Sequence, residues 1–167
     1  MSLHIRQLQA ADSFDQLTQL IRAAYQQLAD LGFRYWGTWQ SVDDTRARCG
    51  RGSCFVATLD GEVVGTITLH SPEQCEEGHA WFNQPNVAVF HQFAIAPAHQ
   101  KQGIGTALMD EVEARAAQLG ATEIACDTAQ GASHLVALYE KRGYRIVAMA
   151  DWSETNYQSV ILSKSLS

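Results

Sequence analysis

The run Gln100-Lys101-Gln102-Gly103-Ile104-Gly105, followed by Thr106, has the clearest chemical capacity in this chain. Glycine lets main chain approach a ligand with no Cβ in the way. Residues entering a helix turn their N–H groups inward as a concave nest, and the helix start adds partial positive charge. Thr106 supplies a hydroxyl donor and Lys101 a charge at the rim. Such a turn suits a pyrophosphate, whose linked phosphates need several donors at once. Two other phosphate-binding patterns fail. The dinucleotide fingerprint needs glycine where Leu108 stands. The triphosphatase loop needs Gly-Lys-Ser/Thr, which does not follow Gly103. The pattern that holds is Q/R-x-x-G-x-G/A. Upstream, His91 shares a face with Val89 and Phe93 by period-two spacing. Imidazole is the side chain whose unperturbed pKa suits proton removal near neutral pH.

The elements that must position these groups are legible. Leu3 and Ile5 alternate in a short first strand. Leu17, Leu20, Ile21, Ala24 and Leu28 recur at helical spacing behind Ser13 and Gln16, a capping box, and Gly32 ends that helix. Ser41 with Asp43 and Asp44 starts a second, short helix. "SCFVATLDGEVVGTITLH" is a hairpin turning at Asp60-Gly61. A polar loop from Ser71 to Asn86 follows, long enough to suggest function. "VAVFHQFAI" is an apolar strand stopped by Pro97. The glycine turn then opens a helix whose buried stripe is Ile104, Ala107, Leu108, Val112, Ala116 and Leu119. "TEIACDT" is a strand, and Ser133 caps a helix with Leu135, Leu138 and Tyr139 on its apolar side. "YRIVAMA" and "QSVILSKSL" close the chain as paired strands. The expected fold is α/β (α+β): one mixed, largely antiparallel sheet of about seven strands flanked by about four helices, one domain over residues 1–167.

From Val87 to Tyr144 the chain resembles the GNAT superfamily of N-acetyltransferases, which bind acetyl-coenzyme A. The likeness is carried by "FAIAPAHQKQGIGTALM", the strand "TEIACDT" and "HLVALYEKRGY". The last is similar to the family's A-x-x-L-Y-E-K-x-G-F ending, with Tyr144 for Phe. The resemblance implies the GNAT acyl-CoA N-acyltransferase fold. It implies that Gln100, Lys101, Gln102, Gly103, Ile104, Gly105 and Thr106 cradle the coenzyme's pyrophosphate. It implies that the backbone of Phe93, Ala94 and Ile95 hydrogen-bonds the pantetheine arm, which enters where the strand at 87–96 splays from that at 122–128, often at a bulge. Ala132 stands where the family often has Asn, so His134 or Ser133 is expected to replace that contact.

Acetyl transfer needs a neutral amine, donors for a carbonyl oxygen that becomes negative, and a proton for the leaving thiolate. The resemblance makes Tyr139 the candidate acid. His91 and Asp127 are the candidate bases, Asp127 standing where some members place a catalytic glutamate; a mechanism with no dedicated protein base stays open. A second class of function, a non-catalytic acyl-coenzyme A sensor, differs in whether Tyr139 lies by the thioester.

The chain has 167 residues, 46% of them hydrophobic and 18% charged, with a formal charge of −6. That acidity disfavours nucleic acid and anionic membranes as partners. The arginines at 46, 48 and 51 are expected to cap a helix end or pair with Asp43 and Asp44. No signal-peptide core or membrane span is expected. Four cysteines without a CxxC pair suggest no metal site and a reduced, cytoplasmic setting. The expected partners are acetyl-CoA and an amine acceptor, a small molecule or peptide. Tyr35, Trp36 and Trp39 are candidates to wall the acceptor pocket, and Glu73, Glu76 and Glu77 to attract an amine. A homodimer paired through the last two strands is left open.

Overall fold

Caps and turns place the elements much as the sequence suggests. The computed structural model describes residues 2–74, 79–152 and 155–166. The order is β1 (Leu3–Gln7), α1 (Phe14–Asp30), α2 (Val42–Gly50), β2 (Ser53–Leu59), β3 (Glu62–His70), β4 (Val87–Ile95), α3 (Ile104–Gln118), β5 (Glu123–Ala129), α4 (Ser133–Lys141), β6 (Arg145–Ala150) and β7 (Ser159–Ser165). Ser13 caps α1 by accepting from the Gln16 amide, and the reciprocal box forms on α2 between Ser41 and Asp44. The β2–β3 hairpin turns at Asp60 (φ 50°) and Gly61 (φ 88°), the left-handed pair a tight hairpin needs.

The seven strands form one sheet in the order β1-β2-β3-β4-β5-β7-β6. All pairings are antiparallel except β4 with β5. One face carries the main core, where Leu108, Met109 and Val112 of α3 pack on Phe55, Ile67 and Leu69. On the other face Leu17 and Ile21 of α1 pack on Val56 and Ala94.

The sheet is split at its centre. β4 and β5 pair only over Val87–Val89 and Glu123–Ala125, then diverge. The cause lies in β4. Thr66 opposes Ala94 but Thr68 opposes His91, so β4 carries one extra residue there. Gln92 takes the strain at φ 54°, and its buried amide donates to Thr68 Oγ1 at 3.1 Å. The bulge also breaks the simple alternation expected to join His91 and Phe93.

Three local expectations are corrected. Ser133 does not cap α4: Ala132 holds that position, and the Ser133 hydroxyl donates to Gly131 O. Leu119 is half exposed, because α3 ends at Gln118 and the chain turns at Gly120; Met109 takes a place in the buried stripe instead. Leu138 is 49% exposed because it lines a cleft rather than the core.

Candidate active site

The glycine turn supplies unpartnered donors at a helix start. Lys101 (φ 62°) and Gly103 (φ 82°) both adopt left-handed backbone, and α3 begins at Ile104 with no side-chain cap. Among the described residues, the main-chain N–H groups of Gly103, Ile104, Gly105 and Thr106 meet no protein acceptor. A Cβ at Gly105 would stand 3.2 Å from the Phe93 ring. The Gln100 side chain is committed to structure: its Nε2 donates to Gln27 Oε1 and to Ile95 O, pinning the turn to the end of β4.

These groups border a cleft of about 870 Å³ where β4 and β5 splay. Of the predicted cofactor residues, Phe93, Ala94, Ile95, Gln100, Lys101, Gly103, Ile104, Gly105, Thr106 and His134 line it. Gln102 does not, and the Ile104 side chain sits in the core, so its share in the cleft is mainly backbone. An extended ligand with a pyrophosphate fits this set, given the bare amides at one end and a strand edge along the side.

A second cavity, about 320 Å³, adjoins the first. Tyr25, Tyr35, Phe93, Asp127 and Tyr139 line both. The predicted catalytic residues therefore meet at the junction, except that His91 lines only the smaller cavity. Burial holds the Tyr139 phenol well above its ordinary range, so it stays protonated at any working pH. Burial also raises the Asp127 carboxyl, against the opposing effects of a 2.8 Å hydrogen bond from Trp152 Nε1 and the charge of Arg48. Burial, then His70 and Arg48, drive His91 down to about 3. Tyr25 OH donates to Phe93 O of β4 at 3.0 Å, Tyr35 OH accepts from the Ala129 amide of β5, and the two rings lie 5.4 Å apart, so together they link β4 to β5 across the gap.

Tyr35 and Trp36 wall the smaller cavity as expected, while Trp39 is partly exposed beneath Arg34. Glu73 is exposed, and Glu76 and Glu77 lie outside the described residues. The unforeseen lining is cationic. Arg46 pairs with Asp43 at the surface, but Arg48 does not: it turns inward and lines the cavity. The available signal was position, since Arg48 stands beside buried Cys49 and three residues after buried Thr45. Tyr25 was equally legible, four residues after Ile21 on the buried stripe of α1.

A family model described as the Acetyltransferase (GNAT) family matches residues 15–144. A protein of Bacillus subtilis strain 168 named S-(2-succino)cysteine N-acetyltransferase is 30% identical over 135 residues, spanning 78% of this chain and 77% of that protein. S-alkylcysteine N-acetyltransferase from the same organism is 26% identical over 150 residues, spanning 87% and 81%. The crystal structure of a GNAT family acetyltransferase from Elizabethkingia anophelis with acetyl-CoA bound matches in fold, with a TM-score of 0.68 at 17% identity, over 98% of this chain and 97% of that one.

Proposed function

Because this chain belongs to the GNAT acetyltransferase family, with acetyl-CoA as its acetyl donor, we propose that it acetylates a primary amine by direct attack within a ternary complex. One domain spanning the chain carries both substrates. The observation that carries this reading is the junction of the two cavities at Tyr139 and Asp127. The larger cleft suits the coenzyme, with the bare amides of residues 103–106 as donors to its pyrophosphate and the edge of β4 beside its arm. The smaller cavity suits the acceptor. The coenzyme supplies an activated acetyl thioester.

The chain's own residues then handle protons. Asp127, present at the junction and made more basic by burial, takes the proton that the attacking amine loses. Tyr139 gives its hydroxyl proton to the departing sulfur; its buried phenol is a donor throughout the working range. His91, neutral and confined to the acceptor cavity, shapes that wall rather than reaching the thioester. The names of the Bacillus subtilis relatives favour an amino-acid amine as acceptor, and a cavity of about 320 Å³ suits one that is small.

Buried free thiols at Cys49, Cys54 and Cys126 support a reducing, cytoplasmic setting. No described helix is long and apolar enough to cross a membrane. β7 is paired on both sides, so a homodimer built through the last strands forms at β6, one of the sheet's two edge strands.

Tyr139→Phe tests the assignment, since it keeps the packing and removes one hydroxyl. Turnover is expected to fall about 100-fold, with acetyl-CoA affinity by calorimetry retained. Undiminished turnover would end the acid assignment. Coenzyme binding without thiol release for any amine, in the unaltered protein, would favour a sensor.

A further inference from the structure

We propose that Arg48 is a carboxylate-binding residue of the acceptor cavity, so that the amine acetylated here belongs to an amino acid or another small amine bearing a carboxylate. The inference rests on the acceptor reading of the smaller cavity given above.

Arg48 is held inside the fold with little to neutralise it. Its guanidinium stacks over the Trp36 ring at 4.7 Å, and Nη1 donates to Gln40 Oε1 at 2.8 Å. Among the described residues no carboxylate comes within ion-pair distance of it, whereas Arg6 and Arg145 each have one and Arg142 has two. A guanidinium carries five N–H donors in a rigid fork, which suits a carboxylate bidentately. A half-buried cation with no carboxylate paired to it is costly to hold, and an anionic ligand group removes that cost.

The geometry does not let Arg48 escape cheaply. Gln40 is fully buried and its amide is committed on both sides. Its Oε1 accepts from Arg48, and its Nε2 donates to Thr45 Oγ1 at 2.7 Å and Gln92 Oε1 at 2.9 Å. Swinging the guanidinium outward would strand a buried acceptor. Asp127 lines the same cavity and also the coenzyme cleft. A carboxylate is repelled by Asp127 and drawn to Arg48, while an amine is drawn to Asp127. An amino acid therefore binds in one orientation, with its nitrogen toward the junction.

The test uses two acceptor series, each with one side chain. The first is methionine, methioninamide and 3-(methylthio)propylamine; the second is phenylalanine, phenylalaninamide and phenethylamine. In the unaltered protein kcat/KM for the better free acid should exceed that for its carboxamide by about 30-fold or more, as for loss of one charged hydrogen-bonded pair. In Arg48→Gln that ratio should fall to within about threefold of unity, with acetyl-CoA binding by calorimetry reporting a folded protein. A second measurement needs no variant: 4-(methylthio)butanoate or 3-phenylpropanoate should inhibit competitively against the matching amino acid. Equal use of acids, carboxamides and simple amines, or a preference that survives Arg48→Gln, overturns the carboxylate site and leaves acetyl transfer standing. Lack of thiol release with every amine overturns both.

Discussion

In the proposed mechanism Tyr139 and Asp127 take opposite proton roles in one environment. Burial raises both groups, but the starting values differ. The phenol, already near 10, is pushed out of the working range and can only donate. The carboxyl, ordinarily near 3.9, is raised toward the range where it accepts a proton and still ionises. A base must be deprotonated, so kcat/KM should fall as pH drops through the raised Asp127 value. Asp127→Asn should remove that acid limb and most of the rate. His91, driven down to about 3, stays neutral and contributes no limb near 6.5. An acid limb that persists in Asp127→Asn and vanishes in His91→Ala would reverse these roles. Both residues could be named from the sequence as candidates, but choosing between them could not. The choice depends on which side chain reaches the coenzyme cleft, and that is set by the bulge between His91 and Phe93.

The bulge in β4 is the element on which both cavities depend. A non-glycine residue at φ 54° is strained by roughly 1 kcal/mol. Gln92 offsets this with its buried amide, which accepts from Gln40 and donates to Thr68 and Cys49. The same contacts link the bulge, through Gln40, to Arg48 in the smaller cavity. Gln92→Leu should cost about 2–3 kcal/mol in denaturant unfolding, because Gln40 and Thr68 lose buried partners. It should also weaken acetyl-CoA binding about 10-fold or more, since a relaxed β4 can pair further along β5 and narrow the cleft. Destabilisation with unchanged coenzyme affinity would show that the splay is held by the tyrosine bridges at Tyr25 and Tyr35 instead. Period-two reading of "VAVFHQFAI" finds the strand and cannot find its extra residue. The partner that defines a bulge, β3, comes from elsewhere in the chain.

Across the whole molecule, the split sheet needs a tie between its halves. Glu113 of α3 provides one. It accepts from Arg142 Nε at 2.7 Å, Tyr144 OH at 3.0 Å and Lys164 Nζ at 2.7 Å, joining α3 to the end of α4, the start of β6 and β7. Burial alone would raise its carboxyl, but the three hydrogen bonds together hold it below its ordinary value. A carboxyl so lowered contributes stability above its unfolded value, near 4.3, and loses it as pH falls through the folded one. Glu113→Gln should lower stability at pH 7 by about 2 kcal/mol, or roughly 4–8 °C in Tm for a chain of this size. The gap to the unaltered protein should close as pH drops below about 4. A gap of the same size at pH 3 would assign the effect to packing rather than charge.

Local rules were enough for the strand and helix order, the Asp60-Gly61 hairpin, the glycine turn and its donors, because each depends on residues a few positions apart. The coenzyme cleft was therefore legible as a motif, by backbone conformation and helix start. The smaller cavity was not. Its walls come from α1, residues 35–37, α2, β3, β4, β5, α4 and the segments around Phe82 and Trp152, and no short window contains them. Whether Arg48 pairs at the surface or stands half-buried beside Trp36 depends on the rotation of α2 against the sheet, which long-range packing decides. The sequence by itself determined the turn whose amides are left bare; only the tertiary structure decided which charged side chains line the smaller cavity.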